Sequence, residues 1–391
     1  MWTCELADPA GASVAAGAGK GRTDTGARAR ALGEALERLL AGPAGLDRAA
    51  VHFTAAGQLA AGMLAGEASA PLLAQRPDQE IACLTYEPLH AGADEASIPL
   101  FLGAPWYAGP DGRAHRDALG DRACYGALSR YSVGSGYGLA PTPTQATVHA
   151  LLETIERDAC SLLTIRTLLS GRRPVILDPA TPPDGLAALH ACAEHEASAR
   201  VYLVDATSDL GVPTVLAYST PRPPTRYVRG QAAALSCHDA VEGALTELLE
   251  STALRRRTPA RPVRLALLEP HPALHRCGRF DLTDALLRAR STPFRDRPAP
   301  DDPANQLTGL LARLKAGGFT ARQRRIARLV GDVDAVHTVV PGLERFFASS
   351  KALSSSPAPE DGRRRGAVSP EQAGARPDSP APSVKRRRGL G

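Results

Sequence analysis

The sequence predicts a mixed α/β (α+β) chain: one large domain of interleaved helices and sheets over residues 1–347, then a disordered tail over 348–391. Three observations carry this. Leu and Ala recur at helical spacing over residues 28–40, 144–169 and 239–257. Short β-branched runs at 201–204, 214–218 and 335–340 read as strands. Near residue 348 the composition changes: Ser, Pro, Gly, Ala and Arg displace the large apolar residues, and such a segment cannot bury enough surface to offset its ordering entropy.

The core must be aliphatic. Apolar residues make up 43% of the 391 and aromatic ones only 4%, leaving Leu, Ala, Val and Ile to fill the interior. Pro and Gly punctuate the joins, as at Pro182-Pro183 and Pro221–Pro224. No run approaches the roughly 20 uninterrupted apolar residues of a membrane span. The start, Met1-Trp2-Thr3-Cys4-Glu5, lacks the basic and apolar regions of a signal peptide. A soluble cytoplasmic protein without a membrane partner is expected. The seven cysteines form no C-x-x-C pair, which argues against a zinc ribbon and a secreted disulfide framework.

The net charge of +5 belongs to the tail, where nine Lys/Arg stand against four Asp/Glu after residue 347. Residues 1–347 are therefore neutral, and a nucleic-acid-binding body is not indicated. The clusters Arg363–Arg365 and Lys385–Arg388 are either a solvated tail or a contact for RNA or an acidic partner.

One pattern recurs three times. Ala31-Leu32-Gly33-Glu34-Ala35-Leu36-Glu37 is echoed by Ala150-Leu151-Leu152-Glu153-Thr154-Ile155-Glu156 and by Ala244-Leu245-Thr246-Glu247-Leu248-Leu249-Glu250. On a helix, glutamates at i and i+3 share a face, and like charges there repel. Two readings are open: three amphipathic helices with Glu on their wet faces, or three helices converging to present carboxylates to one site. Such a cluster needs cations, and hard oxygen ligands in that number suit Mg²⁺, which commonly bridges carboxylates to nucleotide phosphates.

Upstream lies Gly17-Ala18-Gly19-Lys20-Gly21. It is no Walker A loop, because Gly21 follows the lysine and Val14 stands where the first glycine belongs. Lys20 is the only lysine in the first 300 residues, either a phosphate contact on a flexible loop or a plain surface turn.

In this order the segments resemble the YcaO family. The first hallmark matches Gly19-Lys20-Gly21 with Gly33–Arg38; the second, Ser135–Thr142, Gln145-Ala146 and Leu152–Asp158. Asp205–Pro213, the helix holding Glu242 and Ala244–Glu247, and Val340–Glu344 match further segments, so the likeness spans nearly all of residues 1–347. It implies ATP and Mg²⁺ as cofactors. Glu34, Glu37, Glu153, Glu156 and Glu247 would surround the metal; Lys20, Ser135, Gln145 and Arg157 would contact the nucleotide. Departures stand out: Gln145 in place of a usual Glu, Glu250 in place of Gln, Thr252 where Arg is common, and no hydroxyl residue at Arg30-Ala31.

Family members phosphorylate a peptide amide oxygen, and the nucleophile then decides between azoline, thioamide and amidine. Phe101–Tyr107 and the second motif look closest to members that pair with TfuA proteins, linked to thioamide formation. The resemblance thus implies a precursor peptide as substrate, a TfuA-like or ubiquitin-activating-like partner and room for a homodimer; it singles out no catalytic residue. Rival readings are a non-catalytic relative that binds peptide or nucleotide, and a hydrolase using Cys160, or Cys237 with His238.

Overall fold

A computed structural model describes residues 2–19, 23–220, 227–257 and 269–346. Lys20, Pro221–Pro224, the tail over 348–391 and the side chain of Arg257 lie outside the described residues. In chain order the strands and long helices are β1 (Trp2–Ala7), β2 (Ser13–Gly19), α1 (Asp24–Ala41), β3 (His52–Ala55), β4 (Glu80–Pro88), β5 (Ala96–Pro99), β6 (Tyr137–Ala140) and α2 (Pro143–Thr164). They continue as β7 (Val175–Leu177), α3 (Asp184–Ala197), β8 (Val201–Asp205), β9 (Thr214–Ser219), β10 (Arg229–Ala233) and α4 (Cys237–Arg257). The described part closes with β11 (Arg290–Thr292), α5 (Pro303–Ala316), β12 (Arg322–Leu329) and β13 (Val333–Val339). The mixed α/β architecture expected from the sequence is present.

Three sheets result. β1 and β2 form an antiparallel pair; five strands run in the order β10-β9-β8-β7-β11; six strands contain the path β3-β4-β12-β13-β6, with β5 also paired to β4. In consequence β6 and β10 are edge strands, and β2 has a free edge opposite β1.

Each site helix starts where its sequence can cap it. The Thr23 hydroxyl accepts from the Gly26 N–H to open α1, and Thr142 accepts from the Gln145 N–H at 3.2 Å ahead of Pro143 to open α2. Ser236 accepts from the Asp239 N–H at 3.0 Å to open α4. At its C-terminus α2 widens into a π-helix over Ile165–Leu169, which completes the helical run read from the sequence.

Helix α2 lies at the centre. Its Leu151 and Ile155 are fully buried and share a core cluster with Leu310 and Leu314 of α5. Its opposite face, Ala146 and Ala150, packs on Val336 of β13. On α1 the buried residues are Ala27, Ala31 and Ala35, whereas Leu32 is half exposed. Alanine, not leucine, is therefore the packing residue of that motif.

The reason is close approach. A methyl group built on Gly138 of β6 would collide with the backbone of Ala146 and Ala150, and one on Gly230 of β10 with that of Ala244 and Leu248. The same holds for Gly17 of β2 against Ala31 and Ala35. Each edge strand thus lies directly on a helix backbone, and only glycine opposite alanine permits it.

Gly230→Ala is expected to lower stability by about 1–3 kcal/mol, since nearby backbone must shift. Gly309→Ala, at an open position within α5, is expected to raise it by about 0.5–1 kcal/mol through helix propensity. Urea unfolding of both variants checks the pair; equal effects would refute the close-packing account.

Candidate functional site

The edge strands supply the site's anchors. Glu34 Oε2 accepts from the Ala18 N–H of β2 at 2.9 Å, and Glu153 Oε2 from the Gly136 N–H beside β6 at 2.9 Å. Glu247 Oε2 accepts from the Gln231 N–H of β10 at 2.8 Å. An unpaired edge N–H is a liability for a sheet; here each one fixes the first glutamate of an acidic pair. Glu34 and Glu153 spend their other oxygen on the arginine one turn later. Arg38 bonds Glu34 and reaches the Ala16 carbonyl at 2.8 Å, while Arg157 lies 3.3 Å from Glu153 Oε1 and 3.6 Å from Glu156 Oε1.

The second glutamates lie in the same field. Burial, then the charges of Glu153 and Glu34, push the Glu37 carboxyl up to about 8 against the pull of Arg38. Glu156 is pushed up to about 7 by burial, with Arg157 pulling it down, Glu247 and Glu153 pushing it up, and a hydrogen bond from Gln231 Nε2 at 2.8 Å pulling it down. Glu37 thus feels Glu34 and the Glu153 of α2, and Glu156 feels Glu153 and the Glu247 of α4. Carboxylates of α1 and of α4 each approach those of α2, although among the described residues no three of these five bring their oxygens within 4.8 Å of one another.

Ser135 precedes the Gly136 that holds Glu153. Its carbonyl accepts from His337 Nε2 at 3.0 Å. His337 Nδ1 in turn accepts from the Tyr86 hydroxyl at 2.6 Å, and burial holds this imidazole neutral, down to about 4. Gln145 lies two turns before Glu153, where its side chain bonds the Thr142 hydroxyl at 3.0 Å as part of the helix cap. The Thr252 hydroxyl turns back to the Leu248 carbonyl at 2.8 Å. Arg255 bonds the Tyr227 carbonyl at 2.5 Å and Arg256 bonds Glu196 at 2.7 Å. Glu242 lies apart from Glu247 in the first turns of α4, with the His238 ring 4.0 Å away and Asp239 3.3 Å from that ring.

The cysteine rival finds no nucleophile here. Cys160 is buried and its thiol is pushed up, mainly by burial and then by Glu156. Burial, then Asp205 and Asp296, push the Cys237 thiol up to about 11. A thiolate nucleophile needs the opposite shift.

Sequence reasoning missed Arg229 and Gln231 on β10. Arg229 is half-buried near Glu247 and Arg157, its guanidinium 4.2 Å from the Phe280 ring centroid. A signal was present. Gly17, Gly136 and Gly230 each stand seventeen positions before Glu34, Glu153 and Glu247, with Ala31, Ala150 and Ala244 at fourteen. The spacing marks a strand that lies on a helix and reaches its glutamate, although in the second copy Gly136 itself is the donor and Gly138 makes the close approach.

By chemical type the donors suit a hard divalent cation: five carboxylates, with Arg157 and Arg229 among them, and a buried amide oxygen on Gln231 without a hydrogen-bond partner. As a group of three, however, only His238, Asp239 and Glu242 among the described residues already stand within 4.8 Å of one another. Fold and site together define an α/β protein whose three acidic helices bring carboxylates and arginines near one another. The model of the YcaO family, described as YcaO cyclodehydratase, ATP- and Mg²⁺-binding, matches residues 18–344, and the chain belongs to that family. ATP and Mg²⁺ are the cofactors of this family.

Solved structures share the fold. YcaO from Methanopyrus kandleri, bound with AMPPCP and Mg²⁺, is 20% identical with a TM-score of 0.60, over 89% of this chain and 84% of that one. A heterocyclase in complex with substrate and cofactor is 17% identical with a TM-score of 0.60, over 85% of this chain but only 45% of its own length. The E. coli microcin synthetase McbBCD complex with pro-MccB17 bound is 14% identical with a TM-score of 0.56, over 83% of this chain and 80% of that one. No curated protein matches the sequence significantly. No helix among the described residues is long and apolar enough to cross a membrane.

Glu37 and Glu156 have raised proton affinity in the folded state, so the stability they contribute is full below about 4.5 and is lost as pH rises towards 7 and 8. Mg²⁺ with AMPPCP is therefore expected to raise the thermal midpoint more at pH 8 than at pH 5.5. At pH 6.5 binding should release about one to two protons, read by calorimetry in buffers of different ionisation enthalpy. A midpoint gain independent of pH would contradict this assignment.

Proposed function

We propose that the chain uses ATP and Mg²⁺ to activate a backbone amide of a peptide substrate. Five carboxylates, three of them anchored by backbone N–H groups, carry the reading, because repulsion within such a cluster is relieved by cations. Bound Mg²⁺ would supply charge stabilisation for the transferred phosphoryl group. Glu34, Glu37, Glu153, Glu156 and Glu247 would hold the metal; Arg157, Ser135, Gln145 and Lys20 would contact the nucleotide. The amide oxygen takes the γ-phosphoryl group, ADP leaves, and the amide carbon becomes an electrophile with phosphate as leaving group.

The product we favour is a thioamide, formed when a sulfur nucleophile displaces that phosphate, with a TfuA-like protein as partner. What supports it is the likeness of Phe101–Tyr107 and the second motif to TfuA-associated members. That segment folds as two short buried helical turns, Leu100–Gly103 and Pro105–Ala108, against the six-stranded sheet. The second reading is an azoline-forming cyclodehydratase with a ubiquitin-activating-like partner, favoured by the description of the family and by its heterocyclase relatives. In either case residues 1–347 are the catalytic domain.

Glu153→Gln is expected to weaken Mg²⁺-dependent AMPPCP binding at least about tenfold and to abolish peptide-dependent ATP turnover. Calorimetry and phosphate release read the two effects. Intact binding in that variant would sink the carboxylate assignment. Product mass then separates the readings: oxygen exchanged for sulfur marks a thioamide, and loss of one water marks an azoline.

A further inference from the structure

We propose that the side-chain oxygen of Gln231 is a further ligand for the cation that the carboxylates hold. The inference rests on the reading of those carboxylates as a magnesium site. Gln231 is 4% exposed, on β10 between two of the acids. Its backbone N–H donates to Glu247 Oε2 and its Nε2 to Glu156 Oε1, both at 2.8 Å. Its Oε1 is buried without a hydrogen-bond partner.

These contacts fix which end of the amide points where. Nε2 faces the Glu156 oxygen, and against the ionised carboxylate that a cation would bind the flipped amide would set one oxygen against another. The orphaned Oε1, sharing a carbon with that nitrogen, is then held next to the Glu156–Glu247 pair. A buried amide oxygen with no donor is costly. It is the hard, neutral oxygen that Mg²⁺ accepts beside carboxylates.

Gln231→Met tests the proposal. The side chain keeps its length but offers a thioether, which suits soft Cd²⁺ and not hard Mn²⁺, used here in place of Mg²⁺. In the AMPPCP-loaded full chain, Mn²⁺ affinity is read by electron paramagnetic resonance and Cd²⁺ affinity by displacement of that Mn²⁺, so thiols elsewhere do not count. We expect Mn²⁺ affinity to fall about tenfold while Cd²⁺ affinity holds or rises. Equal losses for both ions would make Gln231 only a positioning residue for Glu156; no loss for either would remove it from the site. Either result overturns the proposal. Should this variant fail to fold, Gln231→Glu replaces it: tighter Mn²⁺ binding supports ligation, weaker binding refutes it. A wild type that binds no Mn²⁺ would overturn the carboxylate reading itself, a distinct failure.

Discussion

Carboxylates set side by side repel, and the fold around this site is organised by how that repulsion is held. Glu34 and Glu247 each accept from a backbone N–H of an edge strand, and Glu153 from the Gly136 N–H just before one. A backbone donor cannot rotate away, so it fixes its glutamate more firmly than a flexible side chain would. Glu37 and Glu156 carry the raised proton affinity. On the proposed reading, the site is divided between anchored acids that set the geometry and acids that would give up a proton to a cation.

Packing makes the anchoring possible. A side-chain carboxylate one turn along a helix reaches a strand N–H only if helix and strand backbones nearly touch. Gly138 and Gly230 opposite alanine backbone provide that contact, and the alanines leave no bulk between the elements. The cost falls elsewhere: α1 buries only Ala27, Ala31 and Ala35, so its hold on β2 comes from backbone approach and polar anchors more than from aliphatic volume. α2 is the opposite case, with Leu151 and Ile155 deep in a core shared with α5. The central helix carries the hydrophobic load, and the flanking helix is placed by contact.

The three acidic helices were legible because leucine and alanine periodicity is strong over segments of this length. The strands that anchor them were not. β2 reads Ser-Val-Ala-Ala-Gly-Ala-Gly and β10 Arg-Gly-Gln-Ala-Ala; such runs have weak strand propensity, and their glycines read as turns. The same residues are what close packing demands, so local propensity and tertiary role conflict there. The carboxylates of the site were legible from repetition. Gln231 was not, since a lone glutamine among alanines carries no periodic signal. Gln145 was placed by motif among the nucleotide contacts, whereas the structure adds a cap role that its sequence position, three after Thr142, already encodes.

Arg157 shows how these pieces constrain one another. Its guanidinium lies between Glu153 and Glu156 and is held in its charged form chiefly by Glu156, then Glu153 and Glu247, against the cost of burial. It therefore occupies the same oxygens that a cation would take. On the proposed reading, a metal at those carboxylates and an arginine between them compete for the same lone pairs. The competition resolves if the guanidinium exchanges carboxylate oxygens for phosphate oxygens, which suit its planar fork equally well. Arg157 would then couple the two: leaving the carboxylate oxygens for phosphate, it would make metal and nucleotide favour each other's binding. Arg38 has no such position, being bound to Glu34 and the Ala16 carbonyl on the outer side of α1, so the exchange belongs to α2, the helix most firmly fixed in the core.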